Sequence, residues 1–382
     1  MTDQPCMRCK ENAAALVVRT EPLCRKCFTK YVHTKVIKRM ETFRVRNSAP
    51  DQQRKILLPI SFGVSSVILL HVLDHHLKNQ KAKTGRTGYV LIVLFVDTSS
   101  VECLAQRENL LSQCQERYPD HKYASAPLHD VFSIQSPEHK SLLGLVSEMD
   151  LEPEADRTAT EQLSALMKSL TSATARADVI STLRTRLIVQ YAKLTGCEGV
   201  LWGDSTTRLA EKTLAETAKG RGFSLPWQIA DGASPFGVTF NYPLRDVLKK
   251  ELVAYAELSE PTLLPLFNDS SSNTQQPSMS SKNTTIDNLM EQYFESVEEN
   301  FPSIVSNVVR TTSRLEPSQG SASESRCKLC SMPVSDGRFG IHGWGGDQQD
   351  GLENLSAERS HGLCYGCTRS IPQAAASRNL SG

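Results

Sequence analysis

The chain has 382 residues, with 43 Lys and Arg against 42 Asp and Glu, 39% hydrophobic residues and 22% charged ones. This is the composition of a soluble globular protein of one to three domains, and a net charge of +1 excludes a global basic footprint for nucleic acid, so any such surface must be local. No run of about 18 apolar residues occurs, so no transmembrane helix and no membrane partner are expected, and Cys6 falls where a signal peptide would need its apolar core.

Eleven cysteines are present, and eight form four Cys-x-x-Cys pairs, which points to metal rather than to disulfides. The other three, Cys103, Cys114 and Cys197, are scattered. Cys6 and Cys9 are followed, after fourteen residues, by Cys24 and Cys27. Two such knuckles close a tetrahedral Zn²⁺ site with four thiolates. A redox dithiol is the alternative, but no thioredoxin-like βαβ context surrounds the pairs. Four cysteines also suit an iron–sulfur cluster, and spacing alone does not separate the two.

Residues 24–46 predict a basic helix. Phe28, Val32, Val36, Met40 and Phe43 make one apolar stripe, and Arg25, Lys26, Lys30, Lys35, Lys38, Arg39, Arg44 and Arg46 face a single acid, Glu41. Contact with RNA phosphates is one reading, with Lys30, Lys38 and Arg44 as candidates; a solvated face is the other.

An alternating α/β pattern follows. Ile56–Ile60 reads as a strand, Ser61-Phe62-Gly63-Val64-Ser65-Ser66 as a turn, and Val67–Leu77 as a helix. A strand–turn–helix of this kind presents free N–H groups to a phosphate. Tyr89–Val96 is a continuous apolar run suited to a strand buried on both faces of a parallel sheet. A helix is predicted over 102–117 and a third strand over 122–128. Residues 129–175, with the acidic stretch Glu148–Glu154, give no clear element. A helix over 177–195 buries Ile180, Leu183, Leu187, Tyr191 and Leu194, and its arginines Arg184 and Arg186 are further RNA-binding candidates. Val200–Asp204 reads as the next strand and Ser205 as the cap of a helix that has Ala210, Leu214 and Ala218 on one face and stops at Gly220. Pro243–Leu258 reads as another helix. Strands alternating with helices imply a doubly wound parallel sheet, whose ligands bind beyond the carboxyl ends of the strands, where Ser61–Ser66 and Asp97 lie.

Residues 269–284 are polar and low in complexity and are expected to be a disordered insertion; a helix resumes at 285–299, and 313–325 form a second linker. Cys327 and Cys330 are separated from Cys364 and Cys367 by 33 residues and suggest a second four-thiolate site, with His342 and His361 as substitute ligands.

Strand, Ser-x-Gly-x-x-Ser, helix resembles the pyrophosphatase loop of ATP-dependent tRNA-modifying and amidotransferase enzymes, Ser-Gly-Gly-x-Asp-Ser. Add both cysteine modules, Trp202-Gly203-Asp204-Ser205-Thr206-Thr207-Arg208-Leu209-Ala210-Glu211 and Gly220-Arg-Gly-Phe-Ser-Leu-Pro226, and nearly the whole chain is similar to the cytoplasmic tRNA 2-thiolation protein 2 family. The resemblance implies a doubly wound parallel sheet of the ATP-pyrophosphatase (adenine nucleotide α-hydrolase-like) type, flanked by N- and C-terminal four-cysteine zinc modules. It divides the chain into a zinc module with a basic helix (1–46), the α/β domain (52–312), a second zinc module (326–370) and a tail (371–382). It also implies a cytoplasmic tRNA-binding subunit for 2-thiolation of the wobble uridine in the tRNAs for Lys, Glu and Gln. Its heterodimer partner would be the catalytic paralogue, cytoplasmic tRNA 2-thiolation protein 1, and a thiocarboxylated ubiquitin-related carrier would bring the sulfur.

The chain departs from the catalytic pattern. Ser61, Gly63 and Ser66 match the loop, but Phe62 replaces a glycine, where its side chain is expected to crowd a phosphate. Ser65 replaces the acid that would serve Mg²⁺, which argues against an ATP–Mg²⁺ site. Against the second family motif, Gly-His-Asn-x-Asp-Asp-x-Ala-Glu, the chain keeps Gly203, Ala210 and Glu211 but has Asp204 for His and Thr207 and Arg208 for two acids. The loop-like set is therefore Ser61, Gly63, Ser65, Ser66, Asp97, Asp204 and Glu211, and no residue is assigned a catalytic role. Cys197 has no paired cysteine and is read as a buried structural thiol. An active ATP-dependent sulfurtransferase and a zinc-ribbon scaffold without RNA are the alternative functions.

Overall fold

A computed structural model describes residues 4–49, 53–102, 107–134, 142–146, 157–267, 284–317, 325–334 and 362–371. Between the two N-terminal knuckles the chain makes a hairpin of β1 (Leu16–Val18) and β2 (Glu21–Leu23). Helix α1 (Arg25–Arg39) follows. It stops seven residues before the expected end at 46, and the chain continues as 3-10 turns at Glu41–Phe43 and Val45–Asn47. The apolar stripe survives because these turns return Phe43 to the core beside Tyr89.

The α/β unit comprises β3 (Lys55–Ile60), α2 (Val64–Thr84), β4 (Val90–Asp97), α3 (Arg107–Arg117), β5 (Lys122–Pro127), α4 (Ala159–Ser169), α5 (Ala173–Leu194), β6 (Gly199–Leu201), α6 (Thr206–Ala218), α7 (Leu225–Ile229), β7 (Gly232–Ala233), β8 (Thr239–Asn241) and α8 (Lys249–Leu258). Helices α9 (Ile286–Asn300) and α10 (Pro302–Thr312) pack on α6, and α11 (Tyr365–Ser370) lies in the C-terminal module, against α5. The sheet order is β5-β4-β3-β6-β8-β7, parallel throughout except for the edge strand β7. From β3 the chain moves outward through β4 to β5, then returns to the other side of β3 as β6. The topological switch point therefore lies between β3 and β6.

Alternation along the strands divides the core. Ile56, Leu58, Ile60, Leu91, Val93 and Phe95 face α2, α1 and α8, while Leu57, Ile92, Leu94, Val96 and Val200 face α5. The two cysteine modules follow this division. Leu23 and Cys24 join the first core, and Cys327, Cys364 and Cys367 the second, so the modules sit on opposite faces of the sheet.

Several predicted elements shift. Helix α8 begins at Lys249, not Pro243, because residues 242–247 form turns that bury Leu244 and Val247. The strand expected to reach Asp204 ends at Leu201. Helix α6 buries Leu209, Ala210, Glu211, Thr213 and Glu216 and leaves Leu214 exposed. Its inner face is partly polar, which hid it from a reading of apolar periodicity. Leu194, placed in the α5 stripe, is also exposed. Cys103, Glu148–Glu154, His342, His361, the tail beyond Ile371 and all of 269–284 but Thr284 lie outside the described residues. Among the described residues no helix is long and apolar enough to cross a membrane.

Helices α1, α2 and α8 meet at a histidine cluster. His33 Nε2 lies 2.7 Å from Tyr255 Oη, His71 Nδ1 3.0 Å from Tyr118 Oη, and the rings of His33 and His75 are 5.0 Å apart. Burial, assisted by neighbouring histidines and by Arg117 beside His71, pushes both His33 and His71 down to about 4. In the unfolded chain they protonate near 6.5, so the folded state binds fewer protons between those values. Stability should therefore fall as pH drops from about 6.5 towards 4, by at most about 1.4 kcal/mol per pH unit for each histidine. Urea unfolding between pH 7 and 4.5 measures the slope, and His71→Phe should reduce it.

Candidate functional site

The loop between β3 and α2 keeps its shape by contacts of its own. Ser66 Oγ donates to the Gly63 carbonyl at 3.0 Å, the Gly63 N–H donates to Ser61 Oγ at 3.4 Å, and the Ser61 N–H donates to Ser66 Oγ at 3.4 Å. Two of the loop N–H groups, those of Ser61 and Gly63, are thus turned onto serine hydroxyls. Phe62 takes the left-handed φ of 58° that glycine would adopt without strain. Its ring does not crowd the phosphate position, as the sequence suggested; it is 1% exposed and packs 5.1 Å from Phe95 in the core beneath the loop. Such a backbone costs roughly 1–3 kcal/mol, offset by burial of the ring. Ser65 is half-buried in the first turn of α2.

Gly203 faces this loop across the switch point. A Cβ there would stand 2.9 Å from Ser66 Cα. The next residue, Asp204, lies 3.9 Å from Lys212, and Ser205 caps α6 by accepting from the Arg208 N–H. Ser61, Ser66, Gly203 and Asp204 line one cleft of about 290 Å³, together with Arg184, Trp202, Arg208 and Lys212. Two other loop-like candidates are turned away from it. Asp97 accepts from the N–H and hydroxyl of Ser99, both at 2.9 Å. Glu211 is buried against Arg208 at 2.9 Å, and burial raises its carboxyl despite that partner. Thr207, at an acid position of the family motif, donates to Glu298 at 2.7 Å and accepts from the Lys249 N–H.

The far end of the cleft holds a buried ion network that no sequence pattern revealed. Arg221 pairs with Asp178 and with Glu216, and Lys219 with Asp178, Glu216 and Asp287. Burial would raise the Glu216 carboxyl, but the Arg221 guanidinium overrides this and holds it down at about 2. The only sequence signal was the Gly-Arg-Gly triplet at 220–222. Arg186 is corrected as an RNA candidate: it is 5% exposed and donates to the carbonyls of Lys328 and Leu329 in the C-terminal module.

The two cysteine modules repeat one design. Each first knuckle ends in a residue with positive φ, Lys10 at 60° and Ser331 at 58°. The N–H of that residue donates to the carbonyl of the first cysteine at 2.8 Å in both cases. Each second pair opens a helix, with Cys24 or Cys364 at the N-cap. Within each set all four sulfurs lie within 4.8 Å of one another, Cys9 and Cys24 at 3.7 Å and Cys330 and Cys364 at 3.9 Å. Four thiolates at about 2.3 Å from one tetrahedral ion are about 3.8 Å apart, so both sets fit a single metal ion. A four-iron cluster, in which each thiolate binds a different iron, would spread them wider.

A family model for cytoplasmic tRNA 2-thiolation protein 2 matches residues 285–340. A relative of that description from Phaeosphaeria nodorum is 62% identical over 373 residues, covering 97% of this chain and 96% of the relative. Another, from Pyrenophora tritici-repentis, is 59% identical over 378 residues, covering 99% and 97%. The chain belongs to the cytoplasmic tRNA 2-thiolation protein 2 family. In fold, this member of the family matches the U34-tRNA thiolase NcsA from Methanococcus maripaludis, solved with its 4Fe-4S cluster. The TM-score is 0.57 at 14% identity, over 88% of this chain and 95% of that one.

The basic helix of this family member is mostly committed to internal pairs. Arg25 meets Glu260, Lys35 the Asp246 carbonyl, Arg39 Asp246 and Asp231, and both Arg44 and Arg46 meet Glu41. Lys26, Lys30 and Lys38 are exposed along one face of α1, spaced by four and eight residues. Arg184 lies in the cleft, 3.4 Å from Glu102.

The close approach of Gly203 to α2 yields a direct test. Gly203→Ala should destabilise the fold by roughly 1–3 kcal/mol, because the first turn of α2 cannot move without disturbing β3. Chemical denaturation measures it.

Proposed function

We propose that this chain is a non-catalytic, tRNA-binding subunit of the machinery that 2-thiolates the wobble uridine in the tRNAs for Lys, Glu and Gln. The observation that carries this reading is the loop. Two of its N–H groups, those of Ser61 and Gly63, bond the hydroxyls of Ser66 and Ser61, and Ser65, Thr207 and Arg208 stand at acid positions of the catalytic pattern. Asp97 and Glu211, the two family acids that remain, are engaged with Ser99 and Arg208. Of the carboxylates that line the cleft, Asp178, Glu216 and Asp287 are paired with Arg221 or Lys219, which leaves Asp204, too sparse a set for Mg²⁺-assisted adenylation.

On this reading the catalytic partner is the paralogue, cytoplasmic tRNA 2-thiolation protein 1, in a cytoplasmic heterodimer. The paralogue activates the uridine C2 oxygen by adenylation, and sulfur from a thiocarboxylated ubiquitin-related carrier replaces it. This chain contributes a tRNA-binding surface and a rigid platform. Cys6, Cys9, Cys24 and Cys27, and Cys327, Cys330, Cys364 and Cys367, each hold one structural Zn²⁺, which cross-links segments too short to fold alone. The parts correspond to 1–46, 52–312 and 326–370, followed by the tail.

Lys26, Lys30 and Lys38 are the exposed α1 cations with neither an ion pair nor a side-chain hydrogen bond among the described residues, and they form the surface offered to phosphates. Changing all three to Ala should weaken tRNA binding and flatten the dependence of log K on log salt by about 2–3, since each lost phosphate contact removes about 0.7–0.9 from the slope. Filter binding at several salt concentrations checks this, and an unchanged slope would contradict tRNA contact through α1.

A further inference from the structure

The C-terminal four-cysteine module has little structure of its own. Its described backbone is one isolated bridge, Arg326 to Pro333, and the six-residue α11. What seats it comes from the α/β core. Arg186 on α5 donates from Nη1 to the carbonyls of Lys328 and Leu329 at 2.7 and 2.6 Å, both inside the Cys327–Cys330 knuckle. Arg221 grips Asp178 and points Nη1 at Cys367 Sγ, 3.9 Å away. Ser370 Oγ donates to the same Asp178. At Gly366 a Cβ would stand 2.6 Å from Arg221 Cγ and 2.7 Å from the Lys219 carbonyl. At Gly220, which also has φ +76°, a Cβ would stand 2.2 Å from the Tyr365 ring. The module in turn lends Cys330 and Met332 to the wall of the cleft that holds Ser61, Ser66, Gly203 and Asp204.

The geometry points to the C-terminal metal centre as a latch on the switch-point cleft, with Arg186 and Arg221 as the positioning residues that transmit its state. With metal bound, the knuckle carbonyls sit where Arg186 requires them and Cys367 where Arg221 requires it, and the Cys330–Met332 wall closes the cleft. Without metal the knuckle is released. Arg186, 5% exposed, then loses the Lys328 and Leu329 carbonyls, and a guanidinium that loses buried acceptors moves towards water; Arg221, 3% exposed, keeps Asp178 and Glu216 but loses Cys367. That movement carries the Asp178–Arg186 stretch of α5 and the 219–222 segment with it and opens the cleft. The N-terminal centre packs on the other face of the sheet and contributes no residue to the cleft, so it serves as an internal control. Coupling of this kind is reciprocal, so loss of the arginine contact must weaken metal binding.

The test uses the full chain loaded with Zn²⁺. Competing chelator is titrated in, and cysteine alkylation read by mass spectrometry reports which centre has emptied. In Arg221→Gln, Cys327, Cys330, Cys364 and Cys367 should become reactive at a chelator concentration at least tenfold lower than in the unaltered chain, the usual scale for loss of a residue that supports metal ligands. Cys6, Cys9, Cys24 and Cys27 should keep their wild-type midpoint. Ser370→Ala, which removes a single hydrogen bond, should give a smaller shift with the same asymmetry should Arg221→Gln not fold. In the unaltered chain, emptying the C-terminal centre should speed amide exchange in 199–205 and 216–224 at least tenfold. Wild-type midpoints at both centres in the variants, or unchanged exchange across 199–224 after the C-terminal metal is removed, would overturn the latch.

Discussion

A guanidinium almost without access to water, that of Arg221, ties three parts of the molecule together. It reaches Asp178 on α5, Glu216 on α6 and Cys367 in the C-terminal module. A charge in that position is tolerated only because every face of it has an anionic or polarisable partner, and removing one partner of such a pair typically costs about 3–5 kcal/mol. The cleft depends on this arrangement. One wall is the strand ends at the switch point, where any doubly wound sheet would place it; α5 and α6 form most of the rest, and the cysteine module, seated by Arg221 and Arg186, adds Cys330 and Met332.

The opposite face of the sheet is built on a different balance. There the N-terminal module is drawn onto α8 and the turn before it by the buried Glu251 and the half-buried Asp246. Arg19 meets Glu251, Arg39 meets Asp246, and Tyr31 donates to Glu251 between the flanking cations Arg8 and Lys35. On α1, Lys35 and Arg39 are spent in these contacts and Arg25 on Glu260, leaving a stripe of Lys26, Lys30 and Lys38. Two modules of matching local design have therefore been put to different uses, one facing outward with cations and the other closing a cleft.

The cysteine spacing was legible in the sequence because four thiolates around one ion require it, and the strand at Val90–Asp97 because a doubly covered parallel strand is apolar at every position. Boundaries were less so. Helix α1 ends at Arg39 because Met40 and Phe43 must both turn into the core, and Pro243 opens a buried turn rather than a helix. The buried face of α6 could not be seen, since Thr207, Glu211 and Glu216 look like solvent-facing residues until their partners are known. Phe62 was placed correctly at a glycine position but its ring was assigned the wrong direction. The left-handed backbone that aims it into the core is a property of the turn, which residue type alone does not reveal. Arg186 looked like one more surface arginine because its acceptors lie more than 140 residues away along the chain.

At the switch point lies a loop with the outline of a phosphate cradle, partly closed by its own serines, with Ser65, Thr207 and Arg208 at the acid positions of the catalytic pattern. The family assignment supports a role in tRNA 2-thiolation, and the loop geometry supports the proposal that this chain binds and positions while a partner reacts. The most direct measurement is ATP–pyrophosphate exchange by the isolated chain with tRNA present. The expected result is no exchange above the protein-free background, with exchange appearing when the catalytic paralogue is added. Exchange by this chain alone at the rate of the complex would contradict a non-catalytic role and place the adenylation step in the Ser61–Ser66 loop.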